Sequence, residues 1–121
     1  VRTKNPETST ETIAVEILSI ESNRVEYKCT PSSGVFKYRT CVFTKDIVNQ
    51  MAEGYEYYGY ASYEAMMQYM IESSASNSQL FYEEQTTAWG GLMSSTDYCI
   101  CNLLYDNNNA TRIEVTEFKT L

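Results

Sequence analysis

Up to Phe43 the apolar residues of this chain recur at every second position, and from Ile47 they recur every three or four. This change of period at Thr44 is the strongest constraint on the fold. A chain of 121 residues has room for one domain core. Strand-period and helix-period segments must therefore close on each other in an α+β arrangement. Ile13, Val15 and Ile17 alternate with Ala14, Glu16 and Leu18, which predicts a strand to Ile20. Glu21-Ser22-Asn23 reads as a turn. Val25, Tyr27 and Cys29 then share one face of a second strand. Thr30-Pro31-Ser32-Ser33-Gly34 holds turn-forming residues, and Val35 to Phe43 reads as a third strand. The first third is thus expected to form a hairpin or meander.

Thr44 suits a helix N-cap, with Asp46 in the first turn where it complements the dipole. Ile47, Met51 and Tyr55, flanked by Val48 and Ala52, predict an amphipathic helix of about three turns. Gly54 lies near its end, and Gly59 is the expected stop. Residues 61–73 also look helical, with Met66, Tyr69, Met70 and Ser73 on one stripe. Core packing explains such a stripe most simply, and an adaptable Met-rich binding surface is the alternative. Leu80–Glu83 reads as a strand, followed by a loop that includes Trp89-Gly90-Gly91. Asp97–Tyr105 is a strand, Asp106–Asn109 a hairpin turn, and Arg112–Lys119 a closing strand. Residues 1–12 are polar and aperiodic, a flexible lead-in to a single domain over 13–121. The expected architecture is one main helix packed on an antiparallel sheet.

The chain has no histidine. That excludes Ser-His-Asp triads, Cys-His dyads, His-ligated zinc and histidine acid/base pairs. At 43% apolar and 13% aromatic it has the composition of a folded core. The net charge of −7 is uneven. Residues 1–45 carry seven bases and five acids, whereas residues 46–121 carry two bases and eleven acids. Such a balance disfavours binding nucleic acid, which needs clustered Lys and Arg. Arg24, Lys28, Lys37, Arg39 and Lys45 read as a solvated strand edge or as a contact patch for an acidic partner.

Four cysteines, Cys29, Cys41, Cys99 and Cys101, fit a secreted protein with one or two disulfides. Cys99 and Cys101 point to one face of a strand and are poorly placed to bond each other. Their spacing matches no usual zinc site, so no metal or cofactor is expected. Val1 at the start fits a trimmed chain, and no apolar run is long enough to span a membrane. Asn109-Ala110-Thr111 is a glycosylation sequon in a turn-like run.

The order of several short motifs carries a resemblance. Tyr27-Lys28-Cys29 is an aromatic-x-Cys near the start, and Cys41 to Ile47 opens a helix running to Glu53-Gly54-Tyr55. Ser62-Tyr63, Phe81-Tyr82-Glu83, Asp97-Tyr98-Cys99, an Asn-rich turn and Val115-Thr116-Glu117 follow. Over residues 24–118 this series resembles the small guanyl-specific fungal extracellular ribonucleases. It resembles more closely their non-catalytic descendants, the RNase-like secreted effectors (RALPH effectors) of cereal powdery mildew fungi. The resemblance implies a ribonuclease-like α+β fold, with Glu83 in place of the catalytic glutamate and Tyr63 in place of the site tyrosine. It puts Ala65 and Tyr98 where a histidine and an arginine stand, and Glu117 (Thr116 if the register slips by one) where the acid histidine stands. Two carboxylates without a cation repel a phosphate, so no ribonuclease activity is expected. The chain lacks the family's terminal cysteine. Cys29 would then pair with Cys41, Cys99 or Cys101 or stay reduced, and Cys29–Cys41 is the pairing favoured. A helix at 61–73 would also depart from the ribonucleases, which carry a short strand and loop there.

The resemblance further implies secretion by a fungus, action in the host plant cell cytoplasm, suppression of immunity and recognition by intracellular nucleotide-binding leucine-rich-repeat receptors. The eleven tyrosines suit protein contact, since each ring gives large amphipathic area. Tyr55, Tyr57, Tyr58, Tyr60 and Tyr63 are too many rings for one helical face, so some must be exposed. That segment, with Lys37, Arg39 and Lys45, is the expected binding surface. The alternatives are non-cleaving RNA binding aided by tyrosine stacking, and a His-free enzyme using Glu83 with Glu117 in glycosidase fashion.

Overall fold

The computed structural model describes residues 9–73 and 79–121. The elements are β1 (Ile13–Ile20), β2 (Val25–Pro31), β3 (Val35–Thr44), α1 (Lys45–Gly54), α2 (Tyr63–Ser73), β4 (Gln79–Phe81), β5 (Gln85–Trp89), β6 (Asp97–Asp106) and β7 (Thr111–Lys119). One antiparallel sheet has the order β1-β2-β5, and a second has the order β4-β3-β6-β7. The fold is α+β with antiparallel sheets.

Strand β6 organises the interior. Its residues from Tyr98 to Leu104 are all buried, as in a strand covered on both faces. Tyr98, Ile100 and Leu104 join Val25, Tyr27 and Cys29 in a core between the two sheets. Cys99, Cys101 and Leu103 join Val48, Met51, Met67 and Ile71 in a core between the second sheet and the helices. The molecule is therefore layered sheet, sheet, helices, with the β4-β3-β6-β7 sheet in the middle.

Several expectations change. The first three strands do not form a meander, because β3 leaves β2 and pairs with β6 and β4. The exit runs through the turn after Pro31. There the Glu11 carboxylate accepts from the Gly34 N–H at 3.0 Å and the Ser32 hydroxyl at 2.8 Å. A Cβ at Gly34 would stand 2.4 Å from Glu11 Cδ, so the clamp needs glycine at that position. Partner to β2 on its other side is β5, in a stretch expected to be a loop. Among the described residues, two helices, α1 and α2, pack on the central sheet rather than one main helix. Helix α1 stops at Gly54, and Gly59, at φ 86°, shapes the following turn.

Most of the expected lead-in, residues 1–8, lies outside the described residues. Ser9 is buried and tied down, its N–H to the Thr111 carbonyl at 2.9 Å and its hydroxyl to Asp106 at 2.7 Å. Thr44 caps α1 as expected, its hydroxyl accepting the Ile47 N–H at 3.3 Å.

The cysteines also differ from expectation: all four are free and buried. Cys29 faces the core between the sheets, and Cys41 faces the core beneath the helices. The central sheet stands between them, so Cys29–Cys41 cannot bond. Cys99 and Cys101 share one face as expected, together with Cys41, which lies directly opposite Cys101. Burial pushes the Cys29 thiol up to about 11 and the Cys41 thiol to about 12.

Candidate functional site

The positions implied by the ribonuclease resemblance do not converge. Glu83 follows β4, at one edge of the central sheet, and Glu117 lies in β7, at the other. Three strand spacings separate those edges, about 14 Å. A glycosidase pair needs its carboxyls within about 10 Å. Tyr98 is in the inter-sheet core, stacked on Phe118 with ring centroids 5.8 Å apart, and its hydroxyl accepts the Met93 N–H at 2.8 Å. Glu117 pairs in register with Cys99 and so lies on the opposite face of the sheet from Tyr98. Tyr63 and Ala65 stand in the first turn of α2. Ser62 caps that helix, its hydroxyl accepting the Ala65 N–H at 3.1 Å, which gives the Ser62-Tyr63 pair a structural role. Among the described residues, no group of three or more Cys, Asp or Glu side chains is arranged to hold a metal ion.

Four of the basic side chains of the first 45 residues, Arg24, Lys37, Arg39 and Lys45, are engaged within the molecule. Lys45 Nζ meets Glu117 at 2.7 Å. Lys37 lies 4.9 Å from the centroid of the Tyr105 ring. Tyr105 donates its hydroxyl to Glu72, and Arg39 interacts with the same hydroxyl. Arg24 faces Glu21 and Glu26. These contacts are exposed or partly exposed and add little stability each, but they leave less free positive charge than the sequence implies.

The tyrosine segment is different. Tyr57 is 88% exposed and Tyr58 65% exposed, their rings edge to face with centroids 5.2 Å apart. They line a groove of about 450 Å³ between α1 and α2. Ile47, Met51 and Gly54 form its α1 side, and Met66 and Met70 its α2 side. The Tyr58 ring packs beside Gly54, where a Cβ would sit 3.7 Å from Tyr58 Cε2, an ordinary van der Waals contact. Tyr55, Tyr60 and Tyr63 are only partly exposed, with Tyr60 6.0 Å from Tyr69.

The α2 stripe is rotated from the one expected. Met67 and Ile71 are buried against the sheet, while Met66 and Met70 are half-buried, packing on the same core and also lining the groove, and Tyr69 is exposed. Sequence reasoning missed Ile47 and Gln50 as groove residues, and also an exposed Phe36–Tyr82 ring pair, 6.1 Å apart, on another part of the surface. Ile47 carried a signal: it precedes the buried Val48 and Met51 at helix spacing and falls on the shoulder of the apolar stripe.

No protein-family model matches this chain, and no curated protein matches it.

Proposed function

We propose that this chain is a protein-binding module whose contact surface is the Tyr57–Tyr58 turn and the methionine-lined groove behind it. The observation that carries the reading is the pair of tyrosine rings held in water beside an apolar groove. Two adjacent exposed rings beside apolar side chains form a contiguous patch of the kind that marks contact surfaces. Aromatic rings and methionine are the residues enriched where proteins meet. On the motif resemblance, the module is a secreted RNase-like effector of a cereal mildew fungus. It acts in the host cytoplasm on plant proteins, with a nucleotide-binding leucine-rich-repeat receptor as its recogniser. Its lack of ribonuclease chemistry is supported by the missing histidine acid and by the positions of Glu83, in the turn after β4, and Glu117, in β7 at the far edge of that sheet.

The test is affinity capture from cereal leaf extract with the wild-type chain and the Tyr57→Ala/Tyr58→Ala double variant, alongside a fluorogenic RNA assay. The expected result is specific capture by the wild type, at least tenfold reduced in the variant, and no RNA turnover by either. Equal capture by both proteins, or RNA turnover abolished by Glu83→Gln, overturns the reading.

A further inference from the structure

The groove has a charge pattern that narrows its partner. From Asp46 to Ser73 the chain has five acids and no Lys or Arg. Glu53 lines the groove itself beside Gln50. Asp46 precedes Gln50 by one turn on the same face of α1, and Glu56 lies between Tyr55 and Tyr57 in the connecting turn. Lys45, at the first position of α1, is taken by Glu117. An apolar floor with an acidic rim is the complement of an apolar stripe flanked by bases.

The walls decide the partner's backbone. Both are helices, which use their own N–H and C=O groups internally. An extended peptide laid between them finds no strand edge to pair with, whereas a helix arrives with its backbone already satisfied. Helix α1 is ten residues, or about 15 Å, long. That length accepts anchors at i, i+3 or i+4, and i+7 of a third helix packed into the two-helix surface. Methionine side chains adapt to anchors of differing shape. A second copy of the chain is a poor occupant, because it would bring a second acidic rim against the first.

Resting on the protein-binding reading, we infer that the α1–α2 groove receives a basic amphipathic helix, with its apolar face on Met66, Met70 and Ile47 and its bases toward Asp46, Glu53 and Glu56. The experiment uses the full chain and three fluorescent peptides of about 14 residues, roughly 21 Å as helices. One is a Leu/Lys amphipathic helix, one is its Leu/Glu counterpart, and one is a scrambled Leu/Lys peptide with no apolar stripe. Fluorescence anisotropy is expected to show binding of the first at least tenfold tighter than of the other two, and weakening with added salt. Glu53→Lys, an exposed change that leaves the fold intact by circular dichroism, should weaken it a further tenfold, and Met66→Glu should abolish it. Equal binding of the scrambled peptide shows mere charge attraction, and binding of the acidic peptide reverses the charge assignment; either overturns the inference. If no peptide binds while leaf-extract capture still depends on Tyr57 and Tyr58, the helix inference falls and the protein-binding reading stands. If capture is also lost, both fall.

Discussion

At the level of single residues, the interior is held by a few polar contacts that burial makes expensive to break. Tyr27 and Thr40 are fully buried, and their hydroxyls meet at 2.7 Å across the inter-sheet core. Tyr27→Phe removes that bond and leaves the Thr40 hydroxyl to the weaker Cys29 thiol, and urea unfolding should show a loss of about 1–2 kcal/mol. The double change Tyr27→Phe/Thr40→Val should cost less than the two single changes added together, since neither partner is then left alone. The cysteines make a second residue-scale prediction. Buried thiols with pKa values of about 11 and 12 at Cys29 and Cys41 are neutral at pH 7.5 and shielded. Iodoacetamide followed by mass spectrometry should find all four thiols unlabelled in the native protein and labelled in denaturant. Rapid native labelling of Cys41 or Cys101 would contradict the packing. The sequence shows that Cys99 and Cys101 share a face, because a strand has a period of two. It does not show that Cys29 and Cys41 face opposite cores, because that depends on which sheet each strand joins.

At the level of elements, the clearest readings were those with a local cause. Thr44 capping and the Ile47–Met51 spacing placed α1, and the Asp106–Asn109 turn placed the β6–β7 hairpin. Strand β5 has little apolar alternation in Gln85-Thr86-Thr87-Ala88-Trp89, since on its inward side two polar residues, Gln85 and Thr87, precede the one large apolar residue, Trp89. The transfer of β3 to the second sheet has no local signal, since it follows from long-range pairing with β6. The same limit applies to α2: periodicity shows that a helix forms and that Met66 and Met70 touch the core, but the deepest burial falls one residue on, at Met67 and Ile71. The hairpin turn yields a pH prediction. The Ser9 hydroxyl, helped by the N–H groups of Asn108 and Ala110, holds the Asp106 carboxyl below its ordinary 3.8. A carboxylate with a lowered folded pKa stabilises the protein above its unfolded pKa, and the contribution is lost as pH falls through the folded value. Thermal melts should therefore show wild type above Asp106→Asn at pH 6, with the gap closing as pH drops below about 4. A gap that stays constant to pH 2 would exclude this contact as the cause.

At the level of the whole molecule, charge and exposed aromatic surface are distributed by layer. The inter-sheet core holds the buried Val25, Tyr27, Ile100 and Leu104, whereas the helical layer exposes Tyr57, Tyr58 and Tyr69 and, after Lys45, carries acids without bases as far as Ser73. Tyrosine exposure was legible from the count of rings in residues 55–63, because one helical face cannot hold them all. The groove itself was not, since it exists only once Met66 and Met70 turn toward α1. The most direct measurement of the central claim is site-specific photo-crosslinking in plant cells. A benzophenone side chain is placed in turn at position 57, at position 58, and at Tyr82 beyond β4, which is 62% exposed, close to Tyr58. The groove account predicts discrete protein adducts from positions 57 and 58 and none from position 82. Adducts from position 82 alone, or the same adducts from all three positions, would contradict it.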